Sequence, residues 1–315
     1  MNLHKNRIYI IGAAILDVLV NPAEPEVFTT GSYPAESIRI SFGGDAQNEA
    51  TVLAHLGGNV TLNTVIGTDR EGDMIRQRLQ NKGICLIEGK RENLQTGVNV
   101  VLIRENGERN FLTNRNGSLR KLTLEDVQMP FPEDTKILCF ASIFVFPLIG
   151  EKELAAIFKQ AKAQGIIICA DMTKRKNNET VGDIARALSY IDYLMPNEEE
   201  AYLVTGADTP EQAAVILRQA GVKTVIIKCG SRGCYVLTEN AENGQGFYVP
   251  AVSGVECVDT TGAGDSFAAG FVYGLSREWD LHRCAVFANQ CGARAVAVMG
   301  ATDWCEEEGV ELFGN

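Results

Sequence analysis

Short runs of apolar residues alternate along the chain with longer segments of helical period. Six runs rich in Ile, Val and Leu have the length of buried strands, at residues 8–12, 60–67, 136–141, 166–170, 193–195 and 224–228. Three intervening segments repeat apolar residues every three to four positions and end just before a glycine, at residues 46–55, 72–82 and 151–164. This alternation predicts an α/β fold, a doubly wound and mainly parallel sheet flanked by helices, in one domain spanning residues 1–315.

Two segments, at about residues 15–42 and 95–118, break this pattern because polar and apolar residues alternate within them. The second contains Asn106-Gly107, a strong hairpin signal between strand-like flanks. We predict a small antiparallel β lid that covers a site, with an exposed edge through which two copies of the chain form a homodimer. A purely structural hairpin is the alternative.

Charge excludes two classes of partner. The 315 residues carry a formal net charge of −11, whereas nucleic acids and anionic membranes are bound mainly by clustered Lys and Arg.

Nine scattered cysteines without a Cys-x-x-Cys pair are typical of reduced thiols in a cytoplasmic protein. The apolar run after Arg7 resembles a short signal peptide, but Asp17 interrupts it, and a buried first strand is favoured. No stretch is long enough to span a bilayer.

Histidine is scarce, since only His4, His55 and His282 occur. A Ser-His-Asp triad or a histidine-rich metal site is therefore not expected. His55 and His282 are typical of packing or surface positions. Acid and base chemistry falls to carboxylates or lysines.

The segment from Asp259 to Asp265 is a glycine-rich turn that leads into a helix apolar on every face. Backbone N–H groups at such a helix start converge on an anion, and the helix dipole adds about half a positive charge. Asp265 would repel an anion that was merely bound. Beside a phosphoryl group in transfer, however, it could accept the proton of the incoming hydroxyl, while the helix N-terminus keeps it ionised. A plain helix cap is the alternative for Asp265.

This segment, Asp259-Thr260-Thr261-Gly262-Ala263-Gly264-Asp265, resembles the C-terminal signature of the PfkB, or ribokinase-like, carbohydrate kinase family. The other landmarks of the family follow in the right order: Asp17, then Gly43, Gly44 and Asn48, then Asn197 and Glu200, then Lys228 to Gly233. The resemblance covers essentially the whole chain and is strongest to uncharacterised bacterial sugar kinases. It implies an ATP-dependent phosphotransferase that acts on a hydroxyl of a sugar or sugar acid.

The resemblance also implies a role for each matching residue. Asp265 would be the catalytic base, and the amides of Gly262, Ala263 and Gly264 the anion hole. Substrate would be held by Asp17, Gly43, Gly44 and Asn48, to which the lid segment adds Asn99 and Arg115 as candidates. Nucleotide would be held by Asn197, Lys228, Gly230, Ser231, Gly233, Thr261 and Asn289. Without the family, Lys228 to Gly233 suit an ordinary strand-turn-strand and Asn289 a helix-surface amide.

Two metal sites follow from the same resemblance. Glu200, one helical turn after Asn197, would organise Mg²⁺ through its waters near the ATP phosphates, although an acidic helix start is the simpler explanation. A K⁺ ion would lie beside the anion hole, held by Asp259, Thr261, Ala295, Val298 and Gly300. Asp259 and Thr261 would otherwise brace the turn, and Trp304 stands where ribokinases place a small hydroxyl residue.

Departures from ribokinase concern the acceptor. Asp45 stands where ribokinase has a lysine, and residues 141–144 offer no carboxylate, so ribose is disfavoured. Arg115 and the pair Lys174-Arg175 could bind a substrate carboxylate or phosphate, and a sugar acid would explain them. Surface solvation explains them too, and it is slightly favoured for Lys174 and Arg175.

Other classes of function fit the sequence less well. Gly262-Ala263-Gly264 lacks the third glycine of a dinucleotide-binding fingerprint, and no Walker-type loop occurs. A nucleoside kinase of the same family, or a homologue that binds sugar or nucleotide without catalysis, remains an alternative.

Overall fold

Nine strands form one sheet whose central part is parallel. The computed structural model describes residues 6–89, 91, 93–106, 108–241 and 244–306. The sheet strands are β1 (Arg7–Ile11), β4 (Asn59–Val65), β5 (Cys85–Gly89), β8 (Thr135–Ile143), β9 (Ile167–Met172), β10 (Tyr193–Leu194), β11 (Thr224–Lys228), β12 (Cys234–Thr238) and β13 (Phe247–Val249). Their order is β13-β12-β11-β10-β9-β8-β1-β4-β5; β12 pairs antiparallel with both β11 and β13, and the other neighbouring pairs are parallel. The predicted doubly wound, mainly parallel sheet is confirmed.

Helices cover both faces of this sheet. They are α1 (Asp45–His55), α2 (Arg70–Asn81), α3 (Glu151–Ala163), α4 (Ala185–Leu188), α5 (Glu198–Thr205), α6 (Pro210–Gln219), α7 (Ala263–Ser276) and α8 (Leu281–Val296). Strand β1 shows the layering: Ile8 and Ile10 pack into the cluster that includes Phe271 of α7. Tyr9 and Ile11 point the other way, into the cluster of Phe158 on α3. Burial on both faces explains why the central strands are continuously apolar.

A second, four-stranded sheet forms from the two segments predicted to be a lid, and is called the lid below. Its strands are β2 (Ile15–Asn21), β3 (Ser37–Gly43), β6 (Val98–Ile103) and β7 (Arg109–Thr113), in the order β3-β2-β6-β7. The outer pairs are antiparallel, as predicted, whereas β2 and β6 run parallel because each belongs to a different hairpin-like segment. Of the predicted Asn106-Gly107 turn, Gly107 lies outside the described residues.

Element ends differ from the predictions where a side chain caps the helix. Helix α2 begins at Arg70 rather than at residue 72, because the Asp69 carboxylate accepts a hydrogen bond of 3.0 Å from the Gly72 amide. The predicted strand at 193–195 is only two residues long in the sheet. Within the described ranges, none of the helices has the combined length and apolar character needed to cross a membrane.

Candidate active site

A tight loop precedes α7, and Asp259 holds it together. The buried Asp259 carboxylate accepts hydrogen bonds from the amides of Thr261 and Gly300, both at 2.9 Å, and from the Thr261 hydroxyl at 2.7 Å. These bonds hold the pKa of Asp259 below its ordinary value although burial opposes them. Gly262 caps α7 with a left-handed φ of 71°. The Ala263 amide donates to the Thr260 carbonyl at 3.3 Å, so the loop already supplies an acceptor to one of the three predicted anion-hole amides.

Asp265 lies in the first turn of α7 and faces α1. Helix α7 is capped by Gly262, not by Asp265, whose carboxylate instead accepts a hydrogen bond of 2.7 Å from the Asn48 side chain. Burial raises the pKa of Asp265 to about 8, the negative charge of Asp45 adds to this, and Asn48 and Lys228 oppose it. Desolvation therefore opposes the ionising effect that we expected from the helix start.

A buried lysine lies between the carboxylates around Asp265 and the carboxyl end of the sheet. Lys228, at the carboxyl end of β11, forms an ion pair with Asp171, at the carboxyl end of β9. Burial raises the pKa of Asp171 to about 7, and Lys228 opposes the rise. Lys228 itself has a raised pKa because the carboxylates of Asp171 and Glu200 outweigh its burial, so it stays protonated. The carboxyl ends of parallel strands are where α/β sheets bind ligands.

The lid presents a row of polar side chains on one face. Asp17 on β2, Asn99 on β6 and Thr113 on β7 are direct neighbours in the strand register. The Asn99 amide donates to Asp17 at 3.0 Å, and the Thr113 hydroxyl donates to Asn99 at 2.7 Å. A Cβ atom on Gly43 would collide with the Asp17 carboxylate. The structure thus brings Asp17, Asn99 and Gly43 together, as predicted, and adds Thr113.

The cationic residues that were candidates for binding a sugar acid are exposed or engaged in other contacts. Arg115 is exposed in the turn that follows β7. Lys174 pairs with Glu199 at 2.6 Å, and both side chains are more than half exposed, at 57% and 59%. Arg175 donates to the Glu179 carbonyl at 3.0 Å. These contacts support surface solvation for Lys174 and Arg175, the alternative left open by the sequence.

A cavity of about 420 Å³ opens on the other side of the loop. Its lining includes several predicted nucleotide-binding residues together with the anion loop: Lys228, Gly230, Ser231, Gly233, Asn289, Ala263 and Gly264. The remaining wall is largely apolar, with Val252, Val255, Phe267 and Val296. The Asn289 amide donates to the carbonyls of Val249 and Pro250, at 3.2 and 3.1 Å, and so ties α8 to the end of β13. A largely apolar cavity that ends at an anion loop suits a nucleotide.

Asn197 and Glu200 satisfy one another at the start of α5. The Asn197 side chain accepts from the Glu200 amide at 2.9 Å, and the Glu200 carboxylate accepts from the Asn197 amide at 2.8 Å. This is a reciprocal capping box, so the helix-start interpretation accounts for the spacing. Burial also raises the pKa of Glu200. Its proposed contact with the waters of Mg²⁺ stays a prediction.

Three of the predicted K⁺ ligands are linked by hydrogen bonds, and an arginine contacts two of them. Asp259, Thr261 and Gly300 are linked by the hydrogen bonds of the loop, and Ala295 lies near the end of α8. Arg109, on lid strand β7, donates to Asp259 at 2.5 Å and also to the Thr261 hydroxyl. The Trp304 indole packs behind the loop and donates to Ser266 at 3.2 Å.

Comparison with known proteins identifies the family. A model of the family described as pfkB family carbohydrate kinase matches residues 5–308. The chain belongs to this family. It is 27% identical over 314 residues to fructokinase-2 of Oryza sativa subsp. japonica, with 94% of this chain and 90% of the relative covered. It is 30% identical over 292 residues to an ATP-dependent ribose-1-phosphate kinase of Halopiger xanaduensis, with 90% of each covered.

A solved structure has the same fold over nearly the whole chain. The crystal structure of a putative ribokinase II of E. coli, in complex with ATP and Mg²⁺, superposes with a TM-score of 0.80 at 26% identity and covers 95% of this chain and 96% of its own. Kinases of the pfkB family are phosphotransferases that act on sugar hydroxyls and use Mg²⁺ with ATP. The predicted family and enzyme class are confirmed.

Four residues of the candidate site were not predicted from the sequence. Thr113 and Arg109 reach the site only through the register of β7, and Asp171 through its position at a strand end. Glu49 is buried on α1 one turn after Asp45; burial raises its pKa well above the ordinary value, with Cys139 and Asp265 adding to the rise. Of these four residues, Asp171 alone had a signal in the sequence, because its carboxylate directly follows the predicted strand at residues 166–170.

Proposed function

We propose that this kinase transfers the γ-phosphoryl group of ATP to a hydroxyl of a neutral sugar, with Asp265 as the base. The acceptor oxygen forms a bond to phosphorus while the bond to the bridging oxygen of ADP breaks. The hydroxyl proton passes to the Asp265 carboxylate. The position of this carboxyl supports the proposal best, since it directly follows the loop that borders the cavity and accepts a hydrogen bond from Asn48 of α1.

The remaining residues would position the two reactants. The amides of Gly262, Ala263 and Gly264 would bind the phosphoryl oxygens, and the Ala263 amide would exchange its long bond to Thr260 for this contact. Lys228, protonated and bordering Gly264, would bind the nucleotide phosphates, with Gly230, Ser231, Gly233 and Asn289 around the rest of the nucleotide. Glu200 and Asp171 fit a Mg²⁺ ion through its waters, because both are carboxylates at the sheet end; the ion would neutralise phosphate charge.

The charges around the acceptor side support a neutral sugar rather than a sugar acid. Asp17 and Asp45 are carboxylates, and Asn48, Asn99 and Thr113 are neutral donors and acceptors. Burial raises the pKa of Asp17, and the negative charge of Asp45 adds to this. An acidic substrate would add repulsion here, since the cations expected to bind it are engaged or exposed on the surface.

A nucleoside is the second candidate acceptor, because of Phe111. Residues alternate along β7, so Phe111 shares the face of Arg109 and Thr113, and Arg109 reaches the anion loop from this face. The Phe111 side chain is nevertheless 59% exposed. An exposed ring beside the polar row could stack on a base.

A panel of acceptors tests these assignments. We expect ADP formation with one or more neutral ketoses or aldoses, and a kcat/KM at least about tenfold lower for the matching sugar acids, because like charges repel in a buried site. ADP release measured with aldoses, ketoses, sugar acids and nucleosides decides the class. Preference for a nucleoside, lost in Phe111→Ala, would establish the second candidate; turnover of acids alone would refute the neutral acceptor.

The outer face of the lid supports the predicted homodimer. Ile38, Ile40 and Leu112 are 68%, 59% and 57% exposed there, on the face opposite Asp17 and Asn99. The register places Val18 and Val100 between Ile40 and Leu112, so the apolar surface is continuous. A continuous apolar face of a monomer usually marks a protein contact, and a second lid is a partner of matching chemistry.

Ile40→Lys is expected to weaken association of the two copies by at least about tenfold, because it places a charge in a buried apolar contact. Sedimentation equilibrium measures the dissociation constant. Val215→Lys, at an exposed apolar residue of α6, is the matched control and should leave association unchanged. Equal dissociation constants for the two variants would contradict a lid-to-lid dimer.

A further inference from the structure

One side chain connects the lid with the anion loop. Arg109 begins strand β7, and its guanidinium donates to Asp259 at 2.5 Å and to the hydroxyl of Thr261. The Asp259 side chain is 2% exposed and that of Arg109 23%. The neighbouring lid arginine, Arg104, instead pairs within the lid, with Glu24 at 3.2 Å and Glu108 at 3.0 Å.

The contact uses the oxygens that were expected to hold K⁺. One oxygen of Asp259 accepts from Arg109 and from the amide and hydroxyl of Thr261, and the other accepts from the Gly300 amide. These donors occupy both oxygens of the carboxylate, and a second cation beside the guanidinium would meet like-charge repulsion. The residues therefore do not fit K⁺ while Arg109 is in place.

We propose that Arg109 is a positioning residue that supplies, from the lid, the positive charge required beside the anion loop, so that this kinase needs no monovalent cation. The inference rests on the proposed phosphotransfer at this loop. A buried carboxylate needs a charged or hydrogen-bonding partner. Because this partner belongs to the lid, the charge of Asp259 is neutralised only when the lid lies over the loop. Closure of the lid over the acceptor thereby fixes the conformation of the loop that begins at Asp259.

Removal of the guanidinium should create a dependence on added cations. In choline chloride buffer, Arg109→Ala should lower kcat/KM by about tenfold to a hundredfold, because a buried charge loses its partner. Millimolar K⁺ or guanidinium should restore much of this loss in Arg109→Ala. The wild type should stay within about twofold across K⁺, Na⁺ and choline. Arg109→Lys, which keeps the charge, should lose less and respond less.

A second measurement does not depend on turnover. Thermal unfolding of Arg109→Ala should shift upward in KCl relative to choline chloride, and that of the wild type should not. Arg104→Ala, which removes a lid arginine away from the loop, is the matched control and should show neither effect. If no acceptor is turned over, the proposed function fails while this cation-specific shift still tests Arg109.

Three results would overturn the inference. They are strong activation of the wild type by K⁺, an Arg109→Ala variant that behaves like Arg104→Ala, and a loss of activity in Arg109→Ala that no cation restores. The last result would assign Arg109 a structural role alone.

Discussion

Asp265→Asn is expected to lower kcat by at least about a thousandfold, because the amide cannot take the hydroxyl proton and a positioned base contributes up to about 10⁴ in rate. Asparagine has nearly the same shape and can keep a hydrogen bond to Asn48. The affinity for ATP with Mg²⁺ should therefore change by less than about threefold, a factor worth under about 1 kcal/mol. Steady-state kinetics and calorimetric titration measure the two quantities. A variant that retained turnover within about tenfold of the wild type would show that Asp265 is not the base.

The stability of the same variant separates a catalytic from a structural role. Burial raises the pKa of Asp265 from 3.8 to about 8, so the native state holds this proton more tightly than the unfolded chain does. The stability that this protonation gives is complete below pH 3.8 and is lost as the pH rises through about 8. The asparagine variant has no such loss. Its free energy of unfolding should match that of the wild type near pH 4 and exceed it by about 1 kcal/mol or more near pH 8. Urea unfolding at both pH values measures this, and a variant less stable at both would indicate a structural brace.

The sequence was sufficient for the parts of the fold that are set by local pattern. Strand β1 is apolar throughout because Ile8 and Ile10 face one helical layer while Tyr9 and Ile11 face the other. The pairing of β2 with β6 was not predictable in the same way. Both are short, alternating strands from distant segments, and only the finished lid sheet makes them parallel neighbours.

The same difference between local pattern and tertiary packing applies to the candidate site. The loop before α7 could be predicted because its chemistry resides in glycines and amides that are adjacent in sequence. Arg109 could not, because an arginine in an alternating strand looks solvent-facing until register and lid position bring it to Asp259. The effect of burial on Asp265 was missed for a related reason. The helix dipole is local, but the desolvation that opposes it comes from packing of α7 against α1.

Gly262→Ala is expected to lower kcat by about a hundredfold, since removing one aligned anion-hole donor costs about 10² to 10³ in rate. Gly262 has a φ of 71°, and an added Cβ would lie 2.5 Å from the Ala301 carbonyl oxygen. The loop must therefore move away from Ala301, which turns the amides of Ala263 and Gly264 out of alignment. Initial rates with saturating ATP and acceptor measure the effect.

Gly165→Ala is the matched control, because Gly165 has the same φ of 71° but nothing within 4 Å of an added Cβ. Both variants carry the strain of a left-handed alanine, about 1 kcal/mol of unfolding free energy. Only Gly262→Ala carries the collision beside the anion loop, so only it should lose turnover. If both variants lost equal activity, backbone strain alone would explain the result; if Gly262→Ala kept its rate within about fivefold, the amides of this loop would not be the phosphoryl-binding donors.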